Sequence, residues 1–170
     1  GLSIGFIEET AKALPLALFL YKKRYFDELT DGIIYFGIVG VTFGIVEDLF
    51  YSLQYGGGVG IMRILISPYL HVGFTILFGT CLIYKKYFNK SWLVPVIGLL
   101  LAIVFHGLYD FFLFTQNPFA IVGSLAITLG LNIAVFVIFR KMQKIDEKNG
   151  KSATGINKFC RSCGRPNPKR

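Results

Sequence analysis

Trp92–Phe114 reads WLVPVIGLLLAIVFHGLYDFFLF. One helical crossing of a bilayer core needs roughly 20 consecutive, mostly apolar residues. This run meets that length, and its only ionisable chains besides tyrosine are His106 and Asp110, both toward its far end. Four other runs have the same character, at about 4 to 21, 33 to 53, 62 to 84 and 119 to 139. The 170-residue chain is 54% hydrophobic, with a mean hydropathy of +0.57, above the apolar share of ordinary soluble domains. The sequence therefore predicts an all-α fold, a polytopic transmembrane helical bundle of about five spans with a short cytosolic tail. A cleavable leader would be a single short apolar run with a basic start and a small-residue cleavage site, which is not this pattern. The first residue is Gly1 rather than Met, which suggests a start inside a longer gene product, with helices upstream.

A net charge of +8 is compatible with a nucleic-acid partner, but the positions of the basic residues favour topology. Lys22, Lys23 and Arg24 follow the first run, Lys85, Lys86 and Lys90 follow the third, and ten more lie between Arg140 and Arg170, together sixteen of the 18 Lys and Arg. By the positive-inside rule the odd-numbered spans run outside to inside. Residues before Leu2, the Gly56–Gly60 loop and the Gln116 loop are then extracytoplasmic, and the C-terminal tail is cytosolic. Anionic lipid contact is a secondary role for these clusters. Arg63 reads as a loop or headgroup contact.

Short loops up to Arg140 favour antiparallel neighbours in one membrane domain over residues 1–140. Residues 141–158 read as a solvated, flexible linker, because charged and small side chains there cannot bury a core. Residues 159–170 carry Cys160 and Cys163 in a CxxCG knuckle, one half of a zinc-ribbon site, whereas structural zinc takes four ligands. The other half would come from beyond Arg170 or from a second chain. Cys81 could add a third sulfur but reads first as a small apolar filler. A tail facing a reducing compartment argues against structural disulfides.

Glu8, Glu9, Glu47, Asp48 and Asp110, half of the ten acidic residues, fall inside predicted spans with both histidines, His71 and His106. An ionisable group at mid-bilayer costs on the order of +3 kcal/mol, so a functional site is the default reading. Counting about 1.5 Å per residue along each helix brings these groups on four helices to one level in the outer third. The site is expected to be a pocket opening to the outer leaflet. Residues four apart share a helix face, as Glu8 and Lys12 do, and as His106 and Asp110 do. Lys12 can neutralise one carboxylate and leave the other as a base near neutral pH. Asp110 can join His106 in binding a cation or orient its ring from behind. Two His plus a carboxylate is a common set for catalytic zinc with one position open for water, and such a metal would acidify that water and polarise a peptide carbonyl. Gly40, Gly44, Gly73 and Gly79 offer small faces for close helix approach.

EETAK at Glu8–Lys12, FGIVED at Phe43–Asp48, HVGFTILFG at His71–Gly79 and HGLYD at His106–Asp110 resemble, in order, the EExxK, FxxxED, HxxxxxxxG and HxxxD motifs of the PrsW family. The resemblance covers about 100 residues, and every specified letter is present. That family sits with the CAAX prenyl endopeptidases and the Abi immunity proteins in a wider group of membrane proteases. The resemblance implies an intramembrane endopeptidase in a prokaryotic plasma membrane, with a membrane-anchored protein as substrate. The founding member acts on a membrane-anchored anti-sigma factor at its extracytoplasmic side. By the family pattern, Glu8 and Glu9 activate water, Lys12 and Asp48 belong to the same motifs, and His71, His106, and Asp110 or Glu47 bind zinc or another divalent metal or stabilise the oxyanion. Some relatives in the wider group work with a glutamate base instead.

Two other functions are open from the residues. Buried carboxylates and histidines also serve proton or cation transport, although relays need polar groups at several depths and the cytosolic halves of these spans are nearly free of them. An inactive scaffold or immunity protein of the same fold would keep the bundle without chemistry.

Overall fold

The computed structural model describes residues 1–115 and 117–149. Within them the chain forms α1 (Leu2–Leu20), α2 (Asp31–Tyr55), α3 (Gly57–Ile64), α4 (Ser67–Phe88), α5 (Leu93–Phe114) and α6 (Pro118–Lys148), and no strand occurs among the described residues. Cys160 and Cys163 lie outside the described residues.

Helices α2, α4, α5 and α6 are long and apolar enough to cross a membrane. The other expected span is α1, with 19 residues. It carries Glu8, Glu9 and Lys12 within two turns, which lowers its apolarity, but Glu9 and Lys12 are buried inside the bundle. The surface has the opposite character: Leu18 is 79% exposed and Phe119 87%, while Glu9 and Asp48 are each 1% exposed. Apolar side chains outside and charges inside suit a lipid solvent, where apolar burial does not drive helix association.

Helix α4 is the axis, with 67% of its span buried against 28% for α2 and α5 and 6% for α6, and it packs on α2, α5, α6 and α1. Pro68 in its first turn has no amide to lose there. Asn89 ends it in the left-handed conformation (φ 50°), with Lys85 and Lys86 in the last turn beside the negative helix pole. Glycines bring α2 close to α4: a Cβ at Gly32 would strike the Gly79 carbonyl, and one at Gly40 would lie 2.6 Å from the His71 carbonyl oxygen.

The Gly56–Gly60 stretch is not a plain loop. Gly56 takes φ 95°, which an L side chain disfavours, and this turn ends α2 and lets Gly57–Ile64 form α3 against it. At the other end, α6 runs on to Lys148, past the Arg140 boundary at which a solvated linker is expected. Met142 and Asp146 are buried because this last stretch docks on the start of α2. The Asp146 carboxylate accepts hydrogen bonds from Leu29 N and Thr30 N, both at 2.9 Å, and from Thr30 Oγ1 at 3.1 Å. These are amides that a helix start otherwise leaves unpaired.

Lys85 reaches Tyr21 and Lys86 reaches the Lys23 carbonyl. Together with the Asp146 contact, this gathers the ends of α1, α4 and α6 and the start of α2 at one basic end. The α2–α3–α4 connection lies at the opposite end.

Candidate active site

Four helices bring ionisable side chains to one place. On α1 the spacing of Glu8, Glu9 and Lys12 puts both carboxylates beside the ammonium. Gly5 on the same helix lets α5 approach, since a Cβ there would lie 2.9 Å from the Ile103 carbonyl oxygen and 3.3 Å from His106 Cβ. Gly44 on α2 does the same for α4, a Cβ there falling 2.9 Å from His71 Cδ2. These small residues set the depth at which the polar groups meet.

Lys12 is the hub. Its Nζ lies 2.7 Å from Glu9 Oε1, 3.3 Å from Glu8 Oε2 and 2.7 Å from His71 Nδ1, and 4.1 Å from the centre of the Phe43 ring. An ammonium has only donors, so His71 Nδ1 accepts and Nε2 carries the proton, which it donates to Glu47 Oε2 at 2.8 Å. On the other side, Glu9 Oε1 accepts from His106 Nδ1 at 2.8 Å, which leaves the His106 Nε2 lone pair free. That nitrogen lies 3.8 Å from both Glu8 Oε2 and Asp110 Oδ1. Phe74 stacks on the His106 ring, centroids 5.0 Å apart and planes 15° apart, and holds its orientation.

A cavity of about 140 Å³ adjoins this network, with Glu8, Glu47, His71, His106 and Asp110 in its wall. Arg63, Ser67, Tyr109 and Leu113 line both it and a more open groove of about 490 Å³ beside α3. Asp110 Oδ2 and Ser67 Oγ are buried without a hydrogen-bond partner. Both residues belong to the cavity wall.

All eight candidate residues of the membrane domain lie in this network, Asp48 through Arg63. Lys12 binds Glu9 more tightly than Glu8, and Glu8 is the carboxylate that faces the cavity. The metal-compatible set is Glu8, His71 and His106, whose ligand atoms all lie within 4.8 Å of one another. Glu47 and Asp110, also expected as ligands, have oxygens 2.8 Å from His71 Nε2 and 3.8 Å from His106 Nε2. Asp48 does not reach the histidines: its Oδ1 accepts from Arg63 Nε at 2.9 Å.

Arg63 is the residue that sequence reading assigned elsewhere. Read as a loop or headgroup contact, it lies on α3, which folds back and brings Nη2 to 3.1 Å from Glu47 Oε2 and the guanidinium to 3.7 Å from the centre of the Tyr51 ring. The available signal was electrostatic: Glu47 and Asp48 together need a cation, and Lys12 is already committed to α1 and α4. Cys81 packs against α5 at Gly98, in keeping with its reading as a filler.

The donor set fits a divalent metal in kind, two imidazole nitrogens and one carboxylate. His71 Nδ1 would first have to give up its hydrogen bond from Lys12.

Fold and site together define a polytopic helical membrane protein with a buried acid–histidine centre opening at one end of its bundle. Residues 2–140 match the family described as "PrsW family intramembrane metalloprotease", and the chain belongs to that family. It is 34% identical over 125 residues to "Protease PrsW" of Clostridioides difficile (strain 630), covering 69% of this chain and 52% of that protein. It is 30% identical over 116 residues to "Protease PrsW" of Bacillus subtilis (strain 168), covering 66% and 52%, and 33% identical over 112 residues to that of Shouchella clausii (strain KSM-K16), covering 64% and 51%. The chain thus spans about half the length of these curated relatives. No solved structure matches it significantly.

Proposed function

We propose that this chain forms the catalytic core of an intramembrane endopeptidase that cuts a membrane-anchored protein near the extracytoplasmic face of a prokaryotic plasma membrane, with its tail in the cytosol. The observation that carries the reading is the cavity whose wall combines two histidines with Glu8, Glu47 and Asp110, next to a groove open at the end away from the basic clusters. The basic end would face the cytosol by the positive-inside rule. The relatives named above, each called a protease, support the same reaction.

Glu8, His71 and His106 are the residues that would hold a divalent metal such as zinc. Such an ion supplies a Lewis acid for the peptide carbonyl and a more acidic water. With Glu8 so committed, Asp110, which lines the cavity and has Oδ1 3.8 Å from His106 Nε2, is the carboxylate that takes the proton from the attacking water and returns it to the leaving amine. Glu9 and Glu47 accept from His106 Nδ1 and His71 Nε2, and so fix which nitrogen of each ring carries the proton. Lys12 balances Glu8 and Glu9, and Arg63 balances Glu47 and Asp48.

Cleavage of a membrane-anchored reporter in proteoliposomes tests this, read together with bound metal. Glu8→Gln and His106→Ala should lose cleavage and metal together, whereas Asp110→Asn should lose cleavage and keep the metal. A second reading has Glu8 itself as the base. It rests on Glu8 lining the cavity with a side chain 17% exposed, and it predicts that Glu8→Gln abolishes cleavage with metal content unchanged. A wild-type protein that never cuts would sink both.

A further inference from the structure

Toward the basic end of the bundle, sharing no lining residue with the acid–histidine cavity, α1, α4 and α5 leave a groove of about 400 Å³ whose floor and walls include Leu14, Ala17, Leu18, Phe78, Leu82 and Leu99. Its volume lies in the range of sites for small ligands, and its interior presents no polar surface. Tyr21, Lys22 and Trp92 form its mouth.

Behind Tyr21 and Trp92, outside the groove's own lining, stands an unusual cation. Half-buried Lys85 donates from Nζ to Tyr21 Oη at 2.6 Å. It lies 4.5 Å from the centre of the Trp92 ring and 5.2 Å from that of Tyr21, and those two rings meet at a 44° tilt with centroids 4.9 Å apart. Among the described residues, Lys85 has no carboxylate partner. Neutral aromatic rings orient an ammonium and attract it weakly, but they leave its charge uncompensated, which is costly next to hydrocarbon. Lys22 adds a second positive charge at the same lip, and α5 begins there with its positive pole.

We propose that this groove binds an anionic phospholipid, one acyl chain lying along Leu14, Leu18 and Leu99 and the phosphate meeting Lys85 and Lys22. The charge pattern selects this occupant. An apolar helix or a zwitterionic lipid would fill the groove and leave the Lys85 ammonium without a net counter-charge, whereas an anionic lipid joins an apolar chain to a fixed negative headgroup. The site is separate from the proposed peptidase chemistry and does not depend on it.

Native mass spectrometry of the detergent-purified chain with dioleoyl phosphatidylglycerol and dioleoyl phosphatidylcholine in competition tests the proposal. One phosphatidylglycerol should be retained preferentially. At about 1 kcal/mol per basic residue near an anionic headgroup, Lys85→Gln should lower that preference about fivefold, and Lys85→Arg should restore it. Ala17→Phe, which fills the floor, should reduce retention of both lipids. Should Ala17→Phe fail to fold, the thermal shift produced by phosphatidylglycerol in the wild type, and its loss in Lys85→Gln, carries the test. Equal binding of the two lipids to the wild type would overturn the site. So would a Lys144→Gln control on α6 that loses as much preference as Lys85→Gln, because any basic surface would then suffice.

Discussion

Replacing Lys12 by Met keeps a long apolar stem in place and deletes the one charge on which α1 and α4 converge. The side chain is 0% exposed and Glu9 is 1% exposed, so water cannot take over the role of the ammonium. Breaking a buried pair by removing one partner costs about 3–5 kcal/mol. Glu9 would still accept from His106 Nδ1 at 2.8 Å, which places the expected loss near about 3 kcal/mol, roughly a hundredfold or more in the folding equilibrium. Lys12→Met should therefore lower stability far more than Glu9→Gln does, because Lys12 would keep Glu8 and His71 as acceptors in the second variant. In the double variant the two losses should overlap by about 2 kcal/mol, as expected for residues in one network. Reversible unfolding in mixed micelles with increasing dodecyl sulfate measures all four corners of this cycle. A Lys12→Met protein within about 0.5 kcal/mol of wild type, or single losses that simply add, would refute the claim that this ammonium is the hub.

Gly40→Ala should destabilise by about 1–3 kcal/mol, since its Cβ would lie 2.6 Å from the His71 carbonyl oxygen and 2.8 Å from Val72 Cα, backbone atoms that cannot rotate away; the same unfolding assay reads it. Asp146→Asn exchanges a carboxylate with three donors for a weaker acceptor, a loss of about 2 kcal/mol, with cleavage per folded molecule unchanged because the contact sits at the other end of the bundle. Arg63→Gln should cut reporter cleavage at least tenfold while changing metal content less than twofold, with Arg63→Lys recovering part of it. Equal loss of metal in Arg63→Gln would show instead that the guanidinium supports the ligand set.

The bundle was legible because the cost of burying charge in a bilayer depends on the order of residues along one chain. A run such as Trp92–Phe114 has to cross, and His106 and Asp110 within it have to be used. The same one-dimensional logic brought Glu8, Glu9, Glu47, Asp48 and His71 to a common depth, and four spaced motifs carried the family resemblance. Helical spacing also placed Lys12 beside both glutamates. What it could not give is the rotation of each helix about its own axis. That rotation follows from where Gly5, Gly40 and Gly44 let neighbouring backbones touch, which depends on all the helices at once. Only the tertiary structure therefore showed that Glu8 comes within reach of both histidines, and that Lys12 lies closer to Glu9 than to Glu8. It also turned Arg63 back from a glycine-rich connection to Asp48 and joined Asp146 to the start of a helix 116 residues away. Composition fixes which groups must leave the lipid, and packing geometry fixes which of them meet.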